Sequence, residues 1–90
     1  MTWQGLELRH LVALRAVAEE RSFSGAAQRL GYTQSAISNQ VRDLERCVGA
    51  RLFERTRGSR NILPTRQGRV LYRYAVAILD HVEHAAAALS

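Results

Sequence analysis

Ninety residues make one domain at most, and a chain this short buries only roughly 60–65% of its unfolded surface, which disfavours a pocketed enzyme. The 47% hydrophobic and 23% charged residues suit a folded domain rather than a disordered one. A net charge of +5, carried by thirteen basic residues that are all arginine, makes a polyanion the first expected partner. The single Cys47 has no internal disulfide partner, no signal peptide opens the chain, and no apolar run reaches the roughly 20 residues of a membrane span, so the expectation is a cytoplasmic protein with no membrane contact.

Leu8, Leu11, Leu14 and Ala18 recur at helical spacing and predict a first helix from about Leu6 to Arg21. Ser24 is read as the cap of a second helix of barely two turns, with Ala26, Ala27 and Leu30 as its apolar face and Gly31 as its stop. Thr33 caps a third helix, on which Ile37, Val41, Leu44 and Val48 share one face and which Gly49 closes. Two helices joined by a short glycine turn, with alanines that allow close approach, form a helix-turn-helix. Residues 51–63, "RLFERTRGSRNIL", hold a Gly-Ser turn between two stretches that pair as a hairpin.

Between Arg51 and Arg73 seven arginines face one acid, Glu54, so the positive charge forms a block and not a salt-bridged mixture. After Pro64 and Thr65 a long fourth helix runs to Ser90, and Leu71, Ala75, Ile78, Val82, Ala85 and Leu89 step along it by fours and threes as a dimerisation seam. The predicted fold is therefore mainly α: a winged helix-turn-helix over residues 1–64, with a short β-hairpin wing, followed by a linker and dimerisation helix over 65–90.

With Ile37 and Val41 facing the core, Ser35, Ser38, Asn39, Arg42 and Arg46 fall on the opposite face of the third helix and Gln34 at its edge. Hydroxyl and amide groups match the donor and acceptor pattern of the major groove, and arginines match phosphates. A reading surface with little charge of its own favours selectivity, because excess charge binds all sequences alike. Two other readings compete: a protein-interaction module using the seam, and a sequence-blind nucleoid-type binder. A palindrome compared with scrambled DNA over a salt series separates them.

The strings "LRHLVALRAVAEERSFSGAAQRL", "TQSAISNQVRDLERCVGARLFER" and "TRQG", spread between Leu8 and Leu79, resemble the N-terminal DNA-binding domain of LysR-type transcriptional regulators. The resemblance implies bacterial, dimeric regulators with a winged helix-turn-helix, a linker helix that dimerises and an effector-binding domain that lies outside these residues. Carried onto this sequence, it puts Gln34, Ser35, Ser38 and Asn39 at positions that face bases or adjacent phosphates. Ser22, Thr33 and Arg42 go to the DNA backbone, and Arg57 and Arg60 to a wing that reaches toward the minor groove. The implied partners are double-stranded promoter DNA and a second copy of the chain, or a tetramer in a full-length protein. Any small-molecule effector would act only through the outlying domain. Three residues depart from the pattern: Ser35 where proline is usual, Arg21 where glycine often ends the first helix, and Pro64 where leucine is more common.

No cofactor or metal is expected. His81 and His84 lie three apart on the fourth helix without further ligands, which reads as solvent-facing polarity. Cys47 reads as a small, partly buried residue. No Gly-x-Ser-x-Gly, phosphate-cradling glycine loop or Cys-x-x-Cys is present, so there is no catalytic residue to assign.

Overall fold

The computed structural model describes residues 3–55 and 61–90, as far as the backbone for Arg55. The elements run α1 (Leu8–Glu20), α2 (Phe23–Leu30), α3 (Gln34–Val48), β1 (Phe53–Arg55), β2 (Ile62–Pro64) and α4 (Arg66–Leu89). β1 and β2 pair antiparallel, with Phe53 opposite Pro64, Glu54 opposite Leu63 and Arg55 opposite Ile62. This is the expected helix-turn-helix with a hairpin and a long last helix. Pro64 ends the second strand, where its missing N–H removes no interior ladder bond.

Helix α1 is the hub, packing against α2, α3, α4 and β2. Its Leu11, Ala13, Leu14, Ala16 and Val17 are completely or almost completely buried, and they meet Ile37, Val41 and Leu44 of α3 and Ala26 and Ala27 of α2. Full burial of each large aliphatic side chain contributes roughly 1.5–3 kcal/mol. The alanines do different work: their small size lets the helix axes approach. Phe23 and Phe53 meet edge to face with centroids 6.1 Å apart, which seats the hairpin against the start of α2.

Three local expectations are corrected. α1 spans Leu8–Glu20 rather than Leu6–Arg21, because Glu7 is extended and Arg21 is left-handed. The cap of α2 is Ser22, not Ser24: its hydroxyl accepts the Gly25 N–H at 2.9 Å. Starting the helix at Phe23 turns that ring inward, whereas Ser24 is left exposed. The third concerns α4, whose buried residues are Gly68, Leu71, Ala75 and Leu79. Leu71 and Ala75 thus belong to the domain's own core and are not part of a stripe free for a partner.

Arg21 is the only non-glycine residue with positive φ among the described residues, at φ 54° and ψ 33°. In that region a Cβ crowds the backbone, and glycine is unstrained. Arg21→Gly is expected to raise stability by roughly 0.5–1 kcal/mol, because relief of that strain outweighs the entropy that glycine adds to the unfolded chain. Urea unfolding followed by circular dichroism checks this; a loss of stability would show that the arginine side chain contributes more to the fold than its backbone conformation costs.

Candidate nucleic-acid interface

Helix α3 is defined at both ends. The Thr33 hydroxyl accepts the Ala36 N–H at 3.1 Å, and Gly49, at φ 74°, closes the last turn by donating its N–H to the Glu45 carbonyl. Gly31, at φ 77°, does the same for α2, and its left-handed turn sets the angle between the two helices. With Ile37, Val41 and Leu44 buried, Gln34, Ser35, Asn39, Arg42 and Arg46 are exposed together on the outer side. Ser38 is half-buried and lies at the edge of a small cleft shared with Phe23, Arg42 and Phe53.

Arg42 donates to Asn39 Oδ1 at 3.4 Å, which engages the amide oxygen of this exposed side chain. Arg46 pairs with Asp43, but both are exposed, and such a pair is easily exchanged for another anion. Ser22 is half-buried, with its hydroxyl engaged in the cap and 3.0 Å from the Ser24 hydroxyl. Thr33 is exposed. Arg57, Arg60 and the Gly-Ser turn between them lie outside the described residues.

Several interactions that hold this surface were not visible in the sequence. The Leu52 N–H donates to Glu45 Oε2 at 2.8 Å, which links α3 to the start of β1. The Thr65 N–H donates to the Leu52 carbonyl at 2.9 Å and the Thr65 hydroxyl to the Arg51 carbonyl at 2.6 Å, which ties the start of α4 to the same place. On the other side of α1 the Tyr72 hydroxyl donates to Glu19 at 2.7 Å, and Arg29 of α2 reaches the same carboxylate at 2.8 Å. The Tyr72 hydrogen bond, with help from Arg29, holds the Glu19 carboxyl below its ordinary value despite partial desolvation. This contribution to stability is present above the ordinary carboxylate range and is lost as pH falls below that range and through the lowered Glu19 value. His10 is buried in the first turn of α1, and its Nδ1 accepts the Glu7 N–H at 3.1 Å.

Helix α4 turns two edges outward. Val70, Tyr74 and Ile78 line an apolar groove of about 560 Å3 together with Trp3, Val48 and Leu52. Beyond Leu79 every residue is exposed, including Val82, Ala85 and Leu89, and so are His81 and His84. Cys47 is half-buried and borders a shallow cleft with His10, Asp43 and Arg46. Among the described residues there is no cluster of three metal-ligating side chains, and no helix is long and apolar enough to cross a membrane.

The sequence profile described as "Bacterial regulatory helix-turn-helix protein, lysR family" matches residues 8–69. The chain belongs to that family. Among its lysR-family relatives is the HTH-type transcriptional regulator BenM of Acinetobacter baylyi, 42% identical over 78 residues that cover 87% of this chain and 25% of BenM. The Hca operon transcriptional activator HcaR of Escherichia coli is 41% identical over 80 residues, covering 89% of this chain and 26% of HcaR. The chain therefore spans about a quarter of the length of these relatives. Its fold superposes on the BenM DBD in complex with catB site 1 DNA with a TM-score of 0.88 at 39% identity, covering 93% of this chain and 91% of that one. The CbnR DBD in its DNA complex gives 0.84 at 33% identity, covering 90% and 91%.

Proposed function

We propose that this lysR-family chain binds double-stranded DNA sequence-selectively, with α3 in the major groove and the wing on the backbone or in the minor groove, as a dimer on an interrupted palindrome. The observation that carries the reading is the outer face of α3, where Gln34, Ser35 and Asn39 stand exposed on a helix fixed at both ends. Such groups hydrogen-bond base edges, and amides pair with adenine in two-pronged fashion. The similarity to DNA-bound domains over almost the whole chain supports it. Ser38, at the flank of the face, reads a base or an adjacent phosphate. Thr33, Ser22 and Arg42 hold the backbone, and Arg57 and Arg60 act from the wing.

The dimer reading moves with the structure. The partner-facing surface is the exposed run Ile78, Val82, Ala85 and Leu89, continuous with the apolar groove at Trp3 and Tyr74. A two-fold axis through it sets two α3 helices on half-sites separated by whole turns of roughly 10 base pairs, adjusted by DNA bending. Transcriptional regulation, in an otherwise bacterial cytoplasmic setting and without catalysis, follows from the same reading.

Repeated enrichment of a random duplex pool by the protein tests it, with the selected duplex then compared with a scrambled one. Asn39→Ala and Gln34→Ala are each expected to cost roughly 1–3 kcal/mol on the selected duplex and almost nothing on the scrambled one. Equal losses on both duplexes would reduce α3 to a backbone contact.

A further inference from the structure

Between β2 and the first turns of α4, on the flank of the molecule, runs a groove of about 680 Å3 lined by Arg21, Arg66, Arg69 and Arg73. Its one acid, Glu19, is already engaged by Tyr72 and Arg29. Among the described residues none of the four arginines has an ion-pair partner, and Arg69 is held only through its hydrogen bond to the Pro64 carbonyl at 3.3 Å. Like charges that line one groove repel one another, so the groove favours an anion whose charges are spaced along it.

The spacing is regular. Arg66, Arg69 and Arg73 follow one another by three and four residues, so they share a face of α4 and step along it by about 4.5–6 Å, on the order of the separation of neighbouring phosphates on one DNA strand. Arg21 carries the row toward the reading surface. Its carbonyl accepts the Ile62 N–H at 3.1 Å, which fixes it between the Ser22 cap of α2 and the base of the wing. The wing strand itself, through Leu63 and Pro64, forms one wall of the groove. The row thus starts between two elements assigned above to the DNA backbone and leads away from them along α4.

We infer that this arginine row grips the backbone of DNA flanking the half-site, beyond the wing. The inference rests on the DNA-binding reading above and adds to it a sequence-independent contact that a short duplex does not reach. Flanking DNA comes within range by bending toward the protein, at flexible steps that thereby gain an indirect role in site choice.

The test uses the selected duplex in two lengths, a minimal one and one extended by one turn, about 10 base pairs, on each side. Wild-type protein is expected to bind the extended duplex roughly tenfold more tightly or better, with a steeper dependence on salt. The variant Arg69→Gln/Arg73→Gln keeps helix-compatible side chains. It should bind the minimal duplex as wild type does, lose the gain from length, and lower the salt slope on the extended duplex by about 2. Arg21→Gly, which relaxes the backbone and so keeps the fold, should lose part of the same gain. No gain from length in the wild type, or equal losses on both duplexes, would overturn the inference. Unchanged binding at both lengths, with a polyglutamate peptide bound by wild type and not by the double variant, would also overturn it and assign the groove to an acidic protein segment. Selectivity for the minimal duplex over its scrambled counterpart is scored separately, so failure of base reading by α3 is distinguishable from failure of the flanking contact.

Discussion

Gly68→Ala, the addition of a single carbon, is expected to destabilise the protein by about 3 kcal/mol, at the upper end of what overpacking of a core costs. A Cβ at this position would stand 2.0 Å from the Leu52 carbonyl oxygen and 2.9 Å from its carbon, and both are backbone atoms without a rotamer to yield. Nor is α4 free to back away. The Gly68 N–H donates to the Thr65 hydroxyl at 3.0 Å, that hydroxyl donates to the Arg51 carbonyl at 2.6 Å, and the Leu52 carbonyl already accepts the Thr65 N–H at 2.9 Å. Gly25→Ala is the control, because there a Cβ meets only side-chain atoms, the nearest at 3.3 Å. Urea denaturation of the two variants should separate them by at least about 2 kcal/mol. A Gly68→Ala loss of less than about 1 kcal/mol would mean that the start of α4 pivots on the strand after all.

The second large effect is expected at Val82, which is 42% exposed on the part of α4 that has left the domain. A carboxylate there touches neither the core nor the face of α3. Val82→Asp should therefore give a folded monomer by sedimentation, with unchanged thermal stability at high dilution. Two linked reading heads gain by effective concentration, so affinity for a full palindrome should drop by roughly a hundredfold or more, while affinity for a half-site holds. Trp3 is the only tryptophan in the chain and lines the groove with Tyr74 and Ile78, so its fluorescence should track the association. A variant that remains dimeric with full-site affinity would place the two-fold contact elsewhere on the surface.

What the sequence made legible was local. Thr33 and Gly49 frame α3 by chemistry that acts within a few residues, and the four-three-four stepping of Ile37, Val41, Leu44 and Val48 leaves one choice of inward face. Ser22 and Ser24 show where that reasoning stops. Both hydroxyls are able to cap α2, and only the burial of Phe23 against Phe53, thirty residues later in the chain, selects the first. The seam on α4 failed in part for a related reason. Its spacing is compatible with packing on a partner or on the parent domain, and the choice at Leu71 and Ala75 depends on how far α1 extends beneath them, as does the burial of Leu79. Gly68 was recognisable in "TRQG" as part of a resemblance, but its physical role, close approach to the Leu52 carbonyl, needs the strand in place. The Tyr72–Glu19–Arg29 cluster joins three helices across a separation of 53 residues and has no periodicity to announce it.

The linkage at Leu52 has a mechanical consequence. Its N–H is held by Glu45 of α3 and its carbonyl by Thr65 at the head of α4, so α3, the root of the hairpin and the long helix are pinned at one residue. Such a joint behaves like the rivet of a pair of callipers whose jaws have been set: neither jaw opens without shifting the arm. On the proposed binding mode, a half-site whose major groove and adjoining minor groove are a little too far apart would find no give in the protein, and the DNA would have to supply the adjustment by twisting or bending. Base pairs that no side chain touches then count toward the choice of site, because their stiffness decides how easily the duplex fits the fixed gauge.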